Sequence, residues 1–154
     1  MPQSGQANEN ATLQAVRALL PALVAQGVST VIVFGSAARN ALRFDSDLDI
    51  AVQLAQPLCL AKRQHLIELL TLATGRAIDL IDLRTVGEPL RGQILHTGIR
   101  LHGSTEDYAS IMQKHVYDME DFMPYVARLH QERQKAWLKY STVNSIRFSA
   151  AWRA

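Results

Sequence analysis

The stretch "FGSAARNALRFDSDLDIAV", residues 34–52, constrains the fold more than any other part of the chain. Gly35 and Ser36 close an apolar, β-branched run (VSTVIVF, 28–34), and ten residues on two aspartates, Asp47 and Asp49, bracket Leu48 at the head of a second apolar run. The first run has the pattern of a strand buried on both faces. The second, "SDLDIAVQL" (46–54), alternates: Leu48, Ile50, Val52 and Leu54 share one face, and Asp47, Asp49, Ala51 and Gln53 share the other. Both carboxylates therefore project from the same side of one strand. Like charges so placed repel, and burial adds to the cost, unless a cation neutralises them or one takes a proton.

A turn from the first strand into a helix beginning near Ser36 would aim free backbone N–H groups outward, and Gly35 would let a phosphate approach the main chain. Arg39, one turn on, can add charge-assisted hydrogen bonds to the same phosphates. Facing that turn, Asp47 and Asp49 suit Mg²⁺, which is typically held by one or two carboxylates plus substrate phosphates. A phosphate turn beside a metal strand implies a nucleoside triphosphate. A third acid comes from "AIDLIDL" (77–83), which offers Asp79 and Asp82 on opposite faces. Asp79 is preferred because the mid-strand charge, expected to be the more buried, has the greater need of a cation; Asp82 stays open as the alternative. Two ions on Asp47, Asp49 and Asp79 would activate an acceptor hydroxyl for in-line attack on the α-phosphorus and neutralise the departing pyrophosphate. Ser36 then serves as a phosphate ligand and not as a nucleophile, since no base lies near it in the sequence.

The rest of the chain reads as support for this site. With 154 residues, 48% of them hydrophobic, it can bury one full core, and a formal charge of +2 without basic runs does not mark nucleic acid as its direct substrate. Apolar spacing predicts a helix over 11–26, kinked or split at Pro21, another over 58–74 stopped by Gly75, and a short one near 88–97. A brief strand, "IRLHG", follows, and Ser104 is placed to cap a final helix that runs to about Tyr140 with Pro124 as a joint. The expectation is an α/β (α+β) unit with a small mixed sheet: a core over 1–103 and a helical extension over 104–154. Nothing in the chain has membrane-spanning length, and the polar start "MPQSGQANEN" lacks a signal-peptide pattern, so a cytoplasmic protein is expected. Cys59, among apolar helical positions, is expected to be a buried, inert thiol.

At "GSAAR", "SDLDIAV" and "AIDLIDL" the sequence resembles the minimal nucleotidyltransferases of the DNA polymerase β superfamily, over roughly residues 28–103. Beyond them, "DYASIMQKHVYDMEDFMPYVARLHQER" resembles the C-terminal helical part of MntA-type antitoxins, which pair with HEPN-domain toxins. The resemblance implies an adenylyltransferase that moves AMP from ATP to a tyrosine of its partner ribonuclease. It also implies phosphate contacts at Gly35 and Ser36, and Mg²⁺ at Asp47, Asp49 and Asp79. One departure stands out: Asn40 occupies a position where relatives often carry glycine.

Two other readings use the same residues: transfer to a small-molecule hydroxyl, and an idle antitoxin that inhibits by docking through the amphipathic stretch 119–137. Arg91 to His96 spells R-x₄-H, similar to a HEPN ribonuclease signature, but a glycine inside it and α/β surroundings point to chance. His65, His102, His115 and His130 lack metal spacing and are expected to be ordinary surface or helix residues. Trp137 and Trp152 are expected to pack, and Asp118, Glu120, Asp121 and Glu132 to line a solvated helix face.

Overall fold

The run 28–34 forms a strand because its β-branched side chains have apolar partners on both sides. The computed structural model describes residues 4–39, 41–43 and 45–151, with side-chain surroundings given within 11–139. Elements follow in the order α1 (Ser4–Ala25), β1 (Val28–Phe34), a 3-10 turn (Ala37–Arg39), β2 (Leu48–Leu54), α2 (Leu60–Thr74), β3 (Ile78–Asp82), α3 (Leu90–Thr97), β4 (Ile99–His102) and α4 (Thr105–Ala151). The sheet order is β3-β2-β1-β4. β1 runs antiparallel to both β2 and β4, and β2 and β3 are parallel. This is the mixed α/β architecture expected.

Side-chain alternation divides the strands between two cores. Val31 and Val33 of β1, Leu48, Ile50 and Val52 of β2, and Leu80 of β3 meet Val16 and Leu23 of α1 and Leu66 and Leu70 of α2. On the opposite face Ile32, Phe34 and Ala51 meet Leu83, Ile94, Leu95 and Ile111. Burying each large aliphatic side chain contributes about 1.5–3 kcal/mol relative to exposure. Leu70, fully buried between α2 and the sheet, would cost about 2–5 kcal/mol on truncation to alanine.

The ends of the helices carry their expected signals. Gly75 closes α2 in the left-handed conformation (φ +67°), its N–H donating to the Thr71 carbonyl at 2.8 Å. Ser104 caps α4: its hydroxyl accepts the Asp107 N–H at 3.0 Å and donates to the Asp107 carboxylate at 3.0 Å. Neither internal proline breaks its helix. Pro21 and Pro124 are exposed, as are Arg17 and Glu120 four residues before them, so water can take up the carbonyls that lose an N–H partner.

Other expectations are corrected. α1 begins at Ser4, earlier than residue 11. Cys59 is exposed, not buried, because α2 starts one residue after it and leaves it extended at the N-cap. α4 continues past Tyr140 to Ala151, while Trp152 lies outside the described residues. The chain divides into compact units Met1–Val116 and Tyr117–Ala154. The first unit includes the opening turns of α4, where Ile111 is buried. In the second unit Met123, Tyr125, Trp137 and Leu138 are each more than half exposed, so Trp137 is not the packing residue its type suggests. Among the described residues no helix is long and apolar enough to cross a membrane.

Candidate active site

Gly35 follows β1 with φ +67°, a conformation that costs an L-residue roughly 1–2 kcal/mol. A Cβ there would collide with the Asp49 carboxylate, whose Cγ lies 2.9 Å from the position it would take. Glycine is thus needed twice, for the turn and for the space. The chain then closes on Ser36, whose carbonyl accepts the N–H of Arg39 at 3.2 Å and of Ala41 at 3.0 Å. This makes one 3-10 turn instead of the helix expected from Ser36. Among the described residues between Ala37 and β2, Leu42 alone is buried, which offers little apolar surface to hold a longer helix. A single turn has little macrodipole, so main-chain N–H groups and Arg39 must supply any attraction for phosphate.

Across the sheet the acids gather on one row. Phe34 pairs with Asp49, and Asp49 pairs with Asp79 in the parallel β2–β3 ladder, which puts both carboxylates on the same face of adjacent strands. Asp47 is exposed just ahead of β2, Asp49 is half-buried, and Asp79 is exposed. Burial first, then the charges of Asp79 and Asp47, hold the Asp49 carboxyl above its ordinary value, and Arg39 partly opposes them. Asp47, Asp79 and Arg39 therefore all act on Asp49, which also covers Gly35. Asn40 lies outside the described residues.

Among the described residues no group of three or more His, Cys, Asp or Glu side chains stands as a metal-binding cluster. The donor chemistry around Asp49 nevertheless fits a hard divalent ion whose shell is completed by substrate oxygens. Burial first, then like charges, push the Asp49 carboxyl toward its neutral form, and a cation would oppose both.

The two candidates on β3 separate by role. The expected burial order is reversed: Asp82, not Asp79, is the buried one, at 3% exposure. Its Oδ2 accepts the Leu58 N–H at 2.8 Å and its Oδ1 the Arg84 N–H at 2.9 Å, so both oxygens tie loops to the end of β3. Asp79 is exposed, and what places it with the other acids is register, not burial.

Sequence reasoning missed Arg76. It is 8% exposed, and its guanidinium donates to the Thr12 hydroxyl at 3.3 Å and to the carbonyls of Arg43 and Ser46 at 2.7 and 3.1 Å. It anchors the loop that delivers Asp47. The available signal was an arginine between a helix-stopping glycine and an apolar strand, where a buried guanidinium must find carbonyls.

The R-x₄-H pair is internal on its arginine side. Arg91 is buried, pairs with Glu88 at 3.1 Å and donates to the Val86 carbonyl, while His96 is exposed. His65 and His130 are exposed as expected. His115, on α4, is mostly buried, with Nδ1 3.0 Å from Glu88 and its ring edge-on to His96 at 6.0 Å.

A small mixed sheet whose glycine turn sits under one acid of a D-x-D strand, with a third acid in register beside it, is the core of a nucleotidyltransferase. Residues 21–107 match the family model described as "Polymerase beta, Nucleotidyltransferase", and the chain belongs to that family. It is 32% identical over 102 residues to the protein adenylyltransferase MntA of Shewanella oneidensis, covering 66% of this chain and 70% of that protein. Among solved structures it resembles a chain of a toxin–antitoxin crystal structure with AMP-PNP (26% identity, TM-score 0.65, 81% of this chain and 97% of that one). It also resembles a chain of the complex of a tri-AMPylated Shewanella oneidensis HEPN toxin with an MNT antitoxin (25% identity, TM-score 0.59, 83% and 97% covered).

Proposed function

We propose that this nucleotidyltransferase is an antitoxin that transfers AMP from ATP to a tyrosine hydroxyl of a HEPN-domain ribonuclease toxin, with two Mg²⁺ ions held by Asp47, Asp49 and Asp79. The observation that carries the reading is the setting of Asp49: over Gly35, beside Asp79, and within the fields of Asp47 and Arg39. The AMPylated toxin complex and the adenylyltransferase relative support the donor and the acceptor class.

In this account Gly35 and Ser36 present main-chain N–H groups to the phosphates, and Arg39 adds a guanidinium that can bind phosphate oxygens at two points. The Asp47, Asp49 and Asp79 carboxylates would hold the ions, and Arg76 holds the loop from which Asp47 projects. When bound, Mg²⁺ supplies Lewis-acid polarisation of the α-phosphoryl group and neutralises charge on the leaving pyrophosphate. The acceptor oxygen forms a bond to the α-phosphorus, the bond to the pyrophosphate oxygen breaks, and the hydroxyl proton passes to solvent. No covalent enzyme intermediate is required, so Ser36 stays a ligand.

The test is to incubate the protein with each labelled nucleoside triphosphate, Mg²⁺ and the product of the adjacent gene, and to read intact masses. Adenylyl increments on the partner, mapped to tyrosine, are expected with ATP. No increment on any protein with any triphosphate would refute the proposal.

A further inference from the structure

Most of α4 lies in the second unit, and there every residue over 127–139 is exposed. A helix polar on all sides could stand so in water. This one has an apolar seam. Met119, Phe122, Val126, Leu129, Arg133 and Ala136 recur at alternating steps of three and four, which keeps them on one narrow stripe with the period of about 3.5 residues that coiled coils use. Met119, Phe122 and Val126 keep part of their surface open, and Leu129 is 38% exposed. Met123, Tyr125 and Trp137 border the stripe, each more than half exposed. The opposite side carries Glu120, Asp121, Arg128, Gln131 and Lys135, with Leu138 as an exception, and Pro124 turns its missing hydrogen bond to that side.

We infer that this seam is where a second copy of the chain docks, its helix antiparallel to the first. Charge names the occupant. Residues 117–127 carry Asp118, Glu120 and Asp121 and no base, whereas 128–139 carry Arg128, Arg133, Lys135 and Lys139 against Glu132. A helix acidic in one half and basic in the other is complementary to itself when reversed, and a two-fold axis between Ala127 and Arg128 brings acid over base at both ends. A parallel pair would set like charge over like along the whole contact.

The seam supplies the register. Around that axis Val126 packs on Leu129 of the second copy, Phe122 on its Arg133, and Met119 on its Ala136. Large meets small in the outer layer, and the one cation in the seam lies over an aromatic ring, where a guanidinium is attracted to the π face. In a parallel pair Arg133 would face itself. The layers from Met119 to Ala136 extend over about 26 Å of helix. At the flank Asp118 comes opposite Lys139 of the second copy.

The experiment measures the mass of the full chain by sedimentation equilibrium for the wild type, Leu129→Glu and the double variant Lys135→Glu/Lys139→Glu. A dimer is expected for the wild type. Leu129→Glu puts a charge in the central layer and should weaken it by about 100-fold; the double variant leaves the apolar layers intact and should weaken it by about tenfold. Orientation is read by disulfide cross-linking on mild oxidation, with Cys59→Ser in every chain. Met119→Cys/Ala136→Cys should link two copies, and Met119→Cys alone should not. A wild type that stays monomeric at about 100 μM, a dimer that neither variant weakens, or Met119→Cys linking to itself overturns the antiparallel pair. Amide exchange of 117–139 is followed on the wild type alone and with the HEPN-domain partner. Protection is expected in the protein alone, and protection gained only with that partner overturns the second copy as occupant. The transfer reading stands under every one of these results, because the seam holds none of the residues assigned to the site.

Discussion

The Asp49 carboxylate fills the space that a side chain at Gly35 would need. The turn and the acid are therefore one construction, and a change in either displaces the other. Gly35→Ala is expected to cost about 1–2 kcal/mol for the left-handed backbone alone. It should lower the transfer rate by about 100-fold, because a displacement near 1 Å in such a site costs on that order. Melting temperature and single-turnover rates check both parts.

Asp49 should trade stability for activity. Its carboxyl is held above the ordinary value by burial and by Asp79 and Asp47, with Arg39 opposing. An acid shifted upward in the folded state contributes its stability in full below its unfolded value, and that contribution is lost as pH rises through the folded value. In chelator at pH 7, ionised Asp49 therefore destabilises the fold, and Asp49→Asn is expected to raise the melting temperature while abolishing transfer. The gain should vanish below about pH 4, where the wild-type group is itself protonated. Saturating Mg²⁺ should reverse the order of the two proteins, adding about 2.7 kcal/mol to the wild type at a hundredfold excess over Kd. Thermal scans across pH, with and without Mg²⁺, read all of this.

The two aspartates of β3 should fail differently. Asp79→Asn is expected to remove most transfer and leave the melting temperature near that of the wild type, since the residue is exposed. Asp82→Ala strips the partners from the Leu58 and Arg84 N–H groups and should cost about 2–4 kcal/mol, with activity per folded molecule retained. Urea unfolding alongside transfer rates separates them.

Arg76→Met keeps much of the side-chain bulk and removes the hydrogen bonds to the Arg43 and Ser46 carbonyls. A loss of about 2–3 kcal/mol is expected, from charged hydrogen bonds that have no replacement. Because Asp47 follows this loop, Mg²⁺ should also bind more weakly, by about tenfold on titration.

Much of this was legible in the sequence, for physical reasons that differ by residue. The strand 28–34 and its burial on both faces follow from its unbroken apolar run, the strand within 46–54 from side-chain alternation, and Gly75 and Ser104 announce their helix ends through local chemistry. Local pattern also put Asp47 and Asp49 on one face. Pairing between strands leaves no local mark: the preference for Asp79 over Asp82 rests on a burial order that the structure reverses, and it is register that sets Asp79 beside Asp49. Arg76 and the exposure of Cys59 depend on contacts and helix boundaries that no periodicity shows. The helix expected after Ser36 is a single 3-10 turn, a limit set by how the segment packs before β2 and not by its local pattern.

The account's central claim is that restraint of the partner passes through chemistry at Asp49. The most direct measurement is partner ribonuclease activity after incubation with ATP, Mg²⁺ and either the wild type or the Asp47→Asn/Asp49→Asn double variant, followed by removal of the antitoxin. Ribonuclease activity lost only after wild-type treatment, in proportion to adenylyl label on the partner, is the predicted result. Equal restraint by the double variant, with no label, would contradict the claim.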